Sequence, residues 1–353
     1  MRNRIIVYFL LLFIGASFIG GSVFTTYNEF VSEGILQQRK EVVIPKGAGL
    51  KQVAYLLQKE GVIESPSIFL IGVRASGNAG QIKAGEYSFP ARSSPKMVMT
   101  ILVSGETYIR RIVIPEGLTS AQIVELLDKS KGLKGSVSSV PRNGTLLPDT
   151  YHYSWGDSKE GILLRMQRAM DRTLESLWES RDKSVPLRDV KEAVILASVV
   201  EKEAALQKEM PLIASAFINR LNKGMKLQSD PTALYAVTEG KYDLKRSLTY
   251  QDLRFKSPYN TYVVQGLPRG AIANPGRKAL EAVLNPAKTN YIYFVADGTG
   301  GHSFASTYQE HQKNVSVWRS IQKRSRKKQK ENNVSEVTPP VKINTLQSPN
   351  ETE

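Results

Sequence analysis

The chain opens on an unbroken apolar block and then changes period. Residues 5–24 (IIVYFLLLFIGASFIGGSVF) run for twenty positions without a charge. A helix of that length spans roughly 30 Å, the thickness of a bilayer core. Arg2 and Arg4 precede it, and the next basic residue is Arg39. The positive-inside rule then places residues 1–4 in the cytoplasm and everything after residue 25 outside. A cleaved signal peptide competes with a membrane anchor, because small residues follow Gly15 and Gly20. Both readings export the rest of the chain.

Beyond a short stalk at 25–40, one pattern occurs twice. Residues 42–57 (VVIPKGAGLKQVAYLL) and residues 112–127 (IVIPEGLTSAQIVELL) each read as a strand, a Pro-x-Gly turn and an amphipathic helix. In the second copy Thr119 or Ser120 is the expected helix cap. Residues 82–89 predict a strand and 95–104 a helix with proline in its first turn. The two copies suggest a small α+β unit used twice, or one unit and its partial echo. Residues 131–146 are rich in Gly, Ser and Pro and read as a linker.

The later half has helical spacing at 161–179, 187–206 and 210–221. From residue 227 to 276 it turns irregular, with clustered Pro, Gly, Asn and Tyr. Loops of this kind are costly to order unless they line something. A helix is expected at 277–284, a buried strand at 291–295, a turn at 298–302 and a closing helix at 308–322. The domain reading is residues 1–4 inside, 5–24 spanning, 25–40 stalk, 41–104 first module, 105–145 second segment and linker, 146–322 catalytic domain and 323–353 a basic, disordered tail. The fold class is α+β.

Composition changes this picture little. Hydrophobic residues make up 41% and charged residues 23%, as in ordinary globular chains. With no cysteine, thiol catalysis and thiolate metal sites are excluded. The net charge of +15 would suit nucleic acid, but six cations sit in 323–330 and two more are Arg2 and Arg4, which leaves +7 for everything else. A nucleic-acid partner is therefore not expected; anionic lipid or wall polymer suits the tail better. His152, His302 and His311 are too scattered for a metal site, and Gly298-Thr-Gly-Gly lacks the helix and lysine of a phosphate loop. No metal and no cofactor are expected.

What remains is carboxylate chemistry. Residues 196–204 (LASVVEKEA) place Glu203 on one helical face with Leu196, Val199 and Val200, and turn Glu201 toward Ala197, Ser198 and Ala204. Burial raises a carboxyl pKa, and a carboxylic acid protonated near neutral pH can act as a general acid. A buried Glu satisfied by an arginine or a backbone group is the bland alternative. Asp230 is the leading second carboxylate, with a cap or turn role before Pro231 as its alternative. Gln228, Ser229, Tyr235, Tyr259, Asn260, Tyr262 and Asn274 would suit a sugar groove, tyrosines stacking on rings and amides bonding hydroxyls; core packing is the alternative for the tyrosines.

At these residues the chain resembles the YceG-like family of membrane-anchored endolytic murein transglycosylases. The resemblance rests on Leu-Pro-Asp-Thr-Tyr (147–151), Ala-Ser-Val-Val-Glu-Lys-Glu-Ala (197–204), Phe-Ile-Asn-Arg-Leu (217–221), Leu-Gln-Ser-Asp-Pro-Thr (227–232), Tyr-Asn-Thr-Tyr (259–262), Gly-Leu-Pro (266–268), Ala-Asn-Pro-Gly (273–276), Tyr-Phe-Val (293–295) and Gly-His-Ser-Phe (301–304). Arg269 and Ala271 depart from the family pattern, where proline is usual, and Asn143-Gly144 replaces a more usual Glu-Gly. The resemblance implies a LysM-like module within 41–104 and a catalytic domain behind it. It also implies one catalytic glutamate, Glu203, with Glu201 the fallback. Peptidoglycan glycan strands are the implied substrate, and peptidoglycan synthases beside the cytoplasmic membrane are implied partners. The expected reaction closes a 1,6-anhydro ring on muramic acid. A muramidase that uses water with Asp230, and a non-catalytic wall-binding protein, are the rivals.

Overall fold

The computed structural model describes residues 2–335. Its contacts define two compact units. The first takes the chain up to Pro115, then Gln122–Val140 and Asp149–Met166; the second takes Glu116–Ala121, Pro141–Pro148 and the chain from Gln167 onward. The chain passes between them repeatedly, so these units do not follow the simple succession of segments expected from sequence.

The first unit begins with α1 (Arg2–Val31), which is long and apolar enough over Ile5–Val31 to cross a membrane; a signal sequence would satisfy the same criterion. The helix does not end where the apolar block ends. It continues through the expected stalk, and Phe30 and Leu36 are buried in the core of the module that follows. Phe30 lies so tightly against Gly72 that a methyl there would come within 2.3 Å of its ring. The stalk at 25–40 is therefore part of the packed structure, because an aromatic at position 30 finds an apolar site one helix away.

That module runs β1 (Lys40–Ile44), α2 (Leu50–Lys59), α3 (Pro66–Ala75), β2 (Gly85–Phe89) and α4 (Pro95–Ser104). β1 and β2 pair antiparallel, with Val42 opposite Tyr87. Val53, Leu57, Phe69, Val73, Tyr87, Phe89, Val98 and Leu102 form its core. Ser65 and Ser94 start α3 and α4 by accepting from Ile68 N and Met97 N, each with proline at the next position. α3 carried no clear period and was not expected. Gly105, at φ 74°, ends α4 in the left-handed region where glycine costs least.

The second copy is an echo of the first. β3 (Arg110–Val113) leads to α5 (Ser120–Asp128), and β4 (Thr150–Tyr153) returns antiparallel to β3 with Ile112 opposite Tyr151. The strand that completes this sheet thus begins with the Thr-Tyr end of a motif assigned to the catalytic domain. Arg110 ties it to the first copy through two hydrogen bonds, 2.7 and 2.6 Å, to the buried Glu86. α6 (Lys159–Glu179) follows.

The second unit is built on α7 (Val190–Glu203), α8 (Met210–Asn222) and α11 (Arg277–Leu284). Leu196, Val199 and Val200 pack with Ile213, Phe217, Leu280 and Val283. Asp189 caps α7 by accepting from Glu192 N over 2.8 Å. Between α8 and α11 the expected irregular region contains α9 (Asp230–Thr238) and the single turn α10 (Tyr250–Leu253). α9 was unforeseen because Ser-Asp-Pro reads equally as a turn and as a helix start, and here it starts a helix. β5 (Tyr293–Ala296) and β6 (His302–Ala305) form a hairpin across the expected turn; β5 is half-buried, not buried. The closing helix α12 (Tyr308–Ser335) runs beyond residue 322, so the basic segment begins as helix. The remainder of the expected disordered tail, 336–353, lies outside the described residues.

Candidate functional site

α7 carries two glutamates in its last turn. Residues Ala193 to Val200 are all buried, so the helix is covered on every side and the contrast of faces read from sequence does not separate them. Their partners do. Glu201 accepts from the backbone N–H of Gly276 over 2.9 Å; burial, the larger influence, raises its pKa, and Glu116 adds to this. Glu203 is the final residue of α7, at the carbonyl end where the helix dipole also disfavours an anion. The residue is only partly exposed and its carboxyl group is enclosed by protein. Burial pushes that carboxyl to about 7; the neighbouring Asp230 acts in the same direction, while Ser229, His302 and Arg220 act against it.

The start of α9 is brought to Glu203 by a set of hydroxyl contacts. The Ser229 hydroxyl donates to Glu203 Oε1 over 2.6 Å. Ser229 is itself fixed, because its N–H donates to Thr261 Oγ1 at 3.0 Å and its carbonyl accepts from Thr232 Oγ1 at 2.6 Å. Thr232 and Thr261 hydroxyls also bond each other at 2.7 Å, joining the first turn of α9 to a loop 29 residues on. Gln228 enters this turn at φ 48°, an uncommon left-handed conformation for a non-glycine residue. Gln228 and Asp230 are exposed on either side of the buried Ser229. Tyr262 donates its hydroxyl to Asp230 Oδ1 at 2.5 Å; burial first, and then this carboxylate, keep the phenol protonated.

Two further groups complete the surroundings. Arg220, from Phe-Ile-Asn-Arg-Leu, is buried and donates to the carbonyls of Ile292 and Leu227, each at 2.6 Å, anchoring the chain one residue before Gln228. Its neighbour Asn219 donates to the carbonyls of Thr289 and Tyr291 at 2.8 and 2.9 Å. His302, at the head of β6, bonds Glu209 Oε2 through Nδ1 at 2.8 Å. Sequence reasoning assigned no role to Arg220 or Glu209 and weighed His302 only as a metal ligand. The available signal for Arg220 was an arginine inside an apolar helical stretch; for the other pair no spacing rule links positions 93 residues apart.

The structure therefore brings together Glu203, Ser229, Asp230 and Tyr262, with Gln228 beside them. It does not bring the two asparagines there. Asn260 is fully buried; its Nδ2 donates to the carbonyls of Leu253 and Phe255 at 3.1 and 2.9 Å, and its Oδ1 accepts from Tyr262 N at 3.0 Å. Asn274 is likewise buried. Its Oδ1 accepts from Gly144 N and Leu146 N, and its Nδ2 donates to Leu118 O and Ser120 Oγ. Both amides have their hydrogen-bonding capacity used by the protein, so the expected sugar contacts are replaced by loop clamps. Tyr235 and Tyr259 are half-buried and face each other at 4.9 Å, and Tyr235 accepts from Asn143 Nδ2 at 3.0 Å. These rings pack on the core, as their alternative reading held.

A YceG-like family model matches residues 42–317. The chain belongs to the YceG-like family. It is similar to an endolytic murein transglycosylase of Bacillus subtilis, 32% identical over 86% of this chain and 90% of the relative. A second endolytic murein transglycosylase, from Streptococcus pneumoniae, is 31% identical; there the match covers 78% of this chain and 57% of the relative. A solved structure of a yceG-like protein from Listeria monocytogenes is 31% identical, with a TM-score of 0.51 over 78% of this chain and 98% of that one. The family match takes in every member of the Glu203 cluster. Of the departures from the family pattern, Asn143 holds Ser120 N and Tyr235 Oη. Gly144, which the family pattern shares, sits at φ 84° and leaves no room for a side chain, since a methyl would lie 2.5 Å from Val194 and 2.9 Å from the Ala271 methyl.

Proposed function

We propose that this chain is a peptidoglycan lytic transglycosylase that cleaves within glycan strands, and that Glu203 is its catalytic acid. The observation that carries the reading is the enclosed Glu203 carboxyl, protonatable near neutral pH and oriented by the Ser229 hydroxyl. The curated relatives, named endolytic murein transglycosylases, support the substrate.

In the proposed reaction protonated Glu203 donates to the oxygen linking N-acetylmuramic acid to the next N-acetylglucosamine. That bond breaks and the departing sugar keeps the proton. The Glu203 carboxylate then takes the proton of the muramic 6-hydroxyl, whose oxygen attacks its own anomeric carbon and closes the 1,6-anhydro ring. The nucleophile is tethered to the electrophile, so no activated water is needed. Asp230 is the exposed negative charge beside the acid and is suited to balance the oxocarbenium-like charge. Gln228 and Tyr262 border the same surface.

A water-using muramidase is the second reading, and the proximity of Asp230 to Glu203 is what favours it. Against it, Asp230 is already engaged by Tyr262. Mass spectrometry of purified peptidoglycan treated with the full chain and with Glu203→Gln separates the possibilities. Anhydro-muramic ends that vanish in the variant support the proposal; reducing ends establish the muramidase; wall binding without product leaves a binding protein.

The anchor reading follows from α1, which would hold the chain in the cytoplasmic membrane with residues beyond it outside. The strand–helix–helix–strand order of β1, α2, α3 and β2 supports a LysM-like, glycan-gripping role for 41–104. Synthases working on new strands at the same membrane are the proposed partners.

A further inference from the structure

Among the described residues, three that are not glycine lie in the left-handed region of backbone space: Arg92, Gln228 and Glu239. Glu239 is there as the C-cap of α9, a common way to end a helix. Arg92 lies in a turn of the first module, its N–H donating to Leu36 O and its carbonyl accepting from Gly34 N. Gln228 stands directly before the buried Ser229, whose hydroxyl reaches Glu203 Oε1 at 2.6 Å. Three hydrogen bonds hold the backbone around it. Arg220 Nη1 donates to the preceding carbonyl, that of Leu227, at 2.6 Å; Gln228 N donates to Thr261 O at 3.2 Å; and Ser229 N donates to Thr261 Oγ1 at 3.0 Å. Two successive N–H groups thus meet one residue, and the left-handed turn is what lets them.

Glycine would take this conformation without strain, whereas a side chain here is a cost that persists only where the surroundings over-determine it. The turn accounts for the backbone; it does not account for the glutamine. The Gln228 side chain is exposed, and no group among the described residues hydrogen-bonds its amide. Asn260 and Asn274, by contrast, have their amides bound by the protein. Of the three amides expected in the groove, Gln228 is therefore the one left with a donor and an acceptor for a ligand.

Resting on the transglycosylase reading, we propose that Gln228 recognises the 2-acetamido group of the muramic sugar being cleaved, and so directs cleavage to N-acetylated positions of the strand. In that sugar the anomeric and 4-oxygens lie in glycosidic links, O3 carries the lactyl ether, and the 6-hydroxyl is the nucleophile served by Glu203. The acetamido group is the polar ring substituent that remains, on the carbon next to the anomeric centre. Gln228 is likewise one residue from the hydroxyl that orients the acid. Its Nε2 can donate to the acetamido carbonyl, or its Oε1 accept from the acetamido N–H. A free 2-amine lacks the carbonyl that would accept from Nε2.

The test is a competition within one substrate. Peptidoglycan whose muramic residues are partly de-N-acetylated is digested by the full chain in detergent. Mass spectrometry then counts anhydro-muramic ends with and without the acetyl group, against their proportion in the undigested strand. The native chain is expected to favour acetylated sites about tenfold. Gln228→Ala and Gln228→Gly should bring that ratio close to one, chiefly by slower cleavage at acetylated sites. Gln228→Gly, which relieves the backbone, should unfold in urea at a midpoint no lower than that of the native chain, so that lost preference is not lost structure. A native chain without preference overturns the proposal, as does a Gln228→Gly chain that keeps the preference or loses it only with a fallen midpoint. Reducing ends in place of anhydro ends overturn the transglycosylase reading, and the same count made on them still decides the role of Gln228. A native chain that releases no ends of either kind overturns the enzymatic reading and this proposal with it.

Discussion

The Ser229 hydroxyl donates to Glu203 Oε1 over 2.6 Å, from the residue that also begins α9. In the proposed reaction this contact would orient the acid, because it leaves the other oxygen, Oε2, to carry the proton. It favours the anion and so works against burial. Ser229→Ala is expected to raise the Glu203 pKa above its value of about 7, to shift the alkaline limb of activity to higher pH, and to slow turnover about tenfold through lost orientation. A pH–rate profile with the limb moved downward would refute this role.

Asp230→Asn should do the opposite. Removing that negative neighbour lowers the Glu203 pKa, and the alkaline limb moves to lower pH. Anhydro ends should persist at a reduced rate, since in the proposed reaction Asp230 activates no water. A complete loss of every product, with the fold intact by circular dichroism, would move Asp230 to the centre of the chemistry.

Burial of Glu203 also has a stability consequence. A carboxyl raised from 4.5 to about 7 in the folded chain contributes stability that is fully present below pH ~4.5 and is lost as pH rises through about 7. Above that pH the folded state bears an enclosed charge at a cost of up to about 3 kcal/mol. Glu203→Gln is therefore expected to unfold at higher urea concentration than the native chain at pH 8, with the gap closing by pH 4. An equal gap at both pH values would show that the carboxyl is not the source.

Asn274 tests the boundary between groove and scaffold. Its four hydrogen bonds to Gly144, Leu146, Leu118 and Ser120 make it a clamp. Asn274→Ala leaves buried partners unpaired and should cost about 3 kcal/mol or more, read as a fall in the urea midpoint. An unchanged midpoint with weakened glycan binding would return Asn274 to the substrate surface.

These two asparagines show where sequence reading stops. α7, α8 and α11 were legible because their apolar spacing is sustained; the face that singled out Glu203 from Glu201 was not, because α7 is buried on every side from Ala193 to Val200. Asn260 and Asn274 lie in Pro- and Gly-rich loops, where the same composition describes an amide facing sugar and an amide holding carbonyls. Only the paths of the loops distinguish them. Thr232 and Thr261, which set the Ser229 hydroxyl against Glu203, carry no signal at all in a linear chain. The Glu209–His302 pair is hidden for the same reason. The echo of the first module was visible in its strand and turn, but its closing strand, Thr150–Tyr153, was assigned to the wrong segment because the pairing partner lies forty residues back.

The burial of Phe30 has a mechanical meaning. α1 enters the first module with no joint, since the helix is continuous to Val31 and its last turns are packed into that module. Seven residues separate position 24 from Val31, a rise of roughly 10 Å. Whatever holds the apolar helix thus sets the height and the heading of residues 41–104 together. The module is carried on a lever, not a leash, and a tilt of the helix becomes a sweep of the module across whatever surface lies beside it.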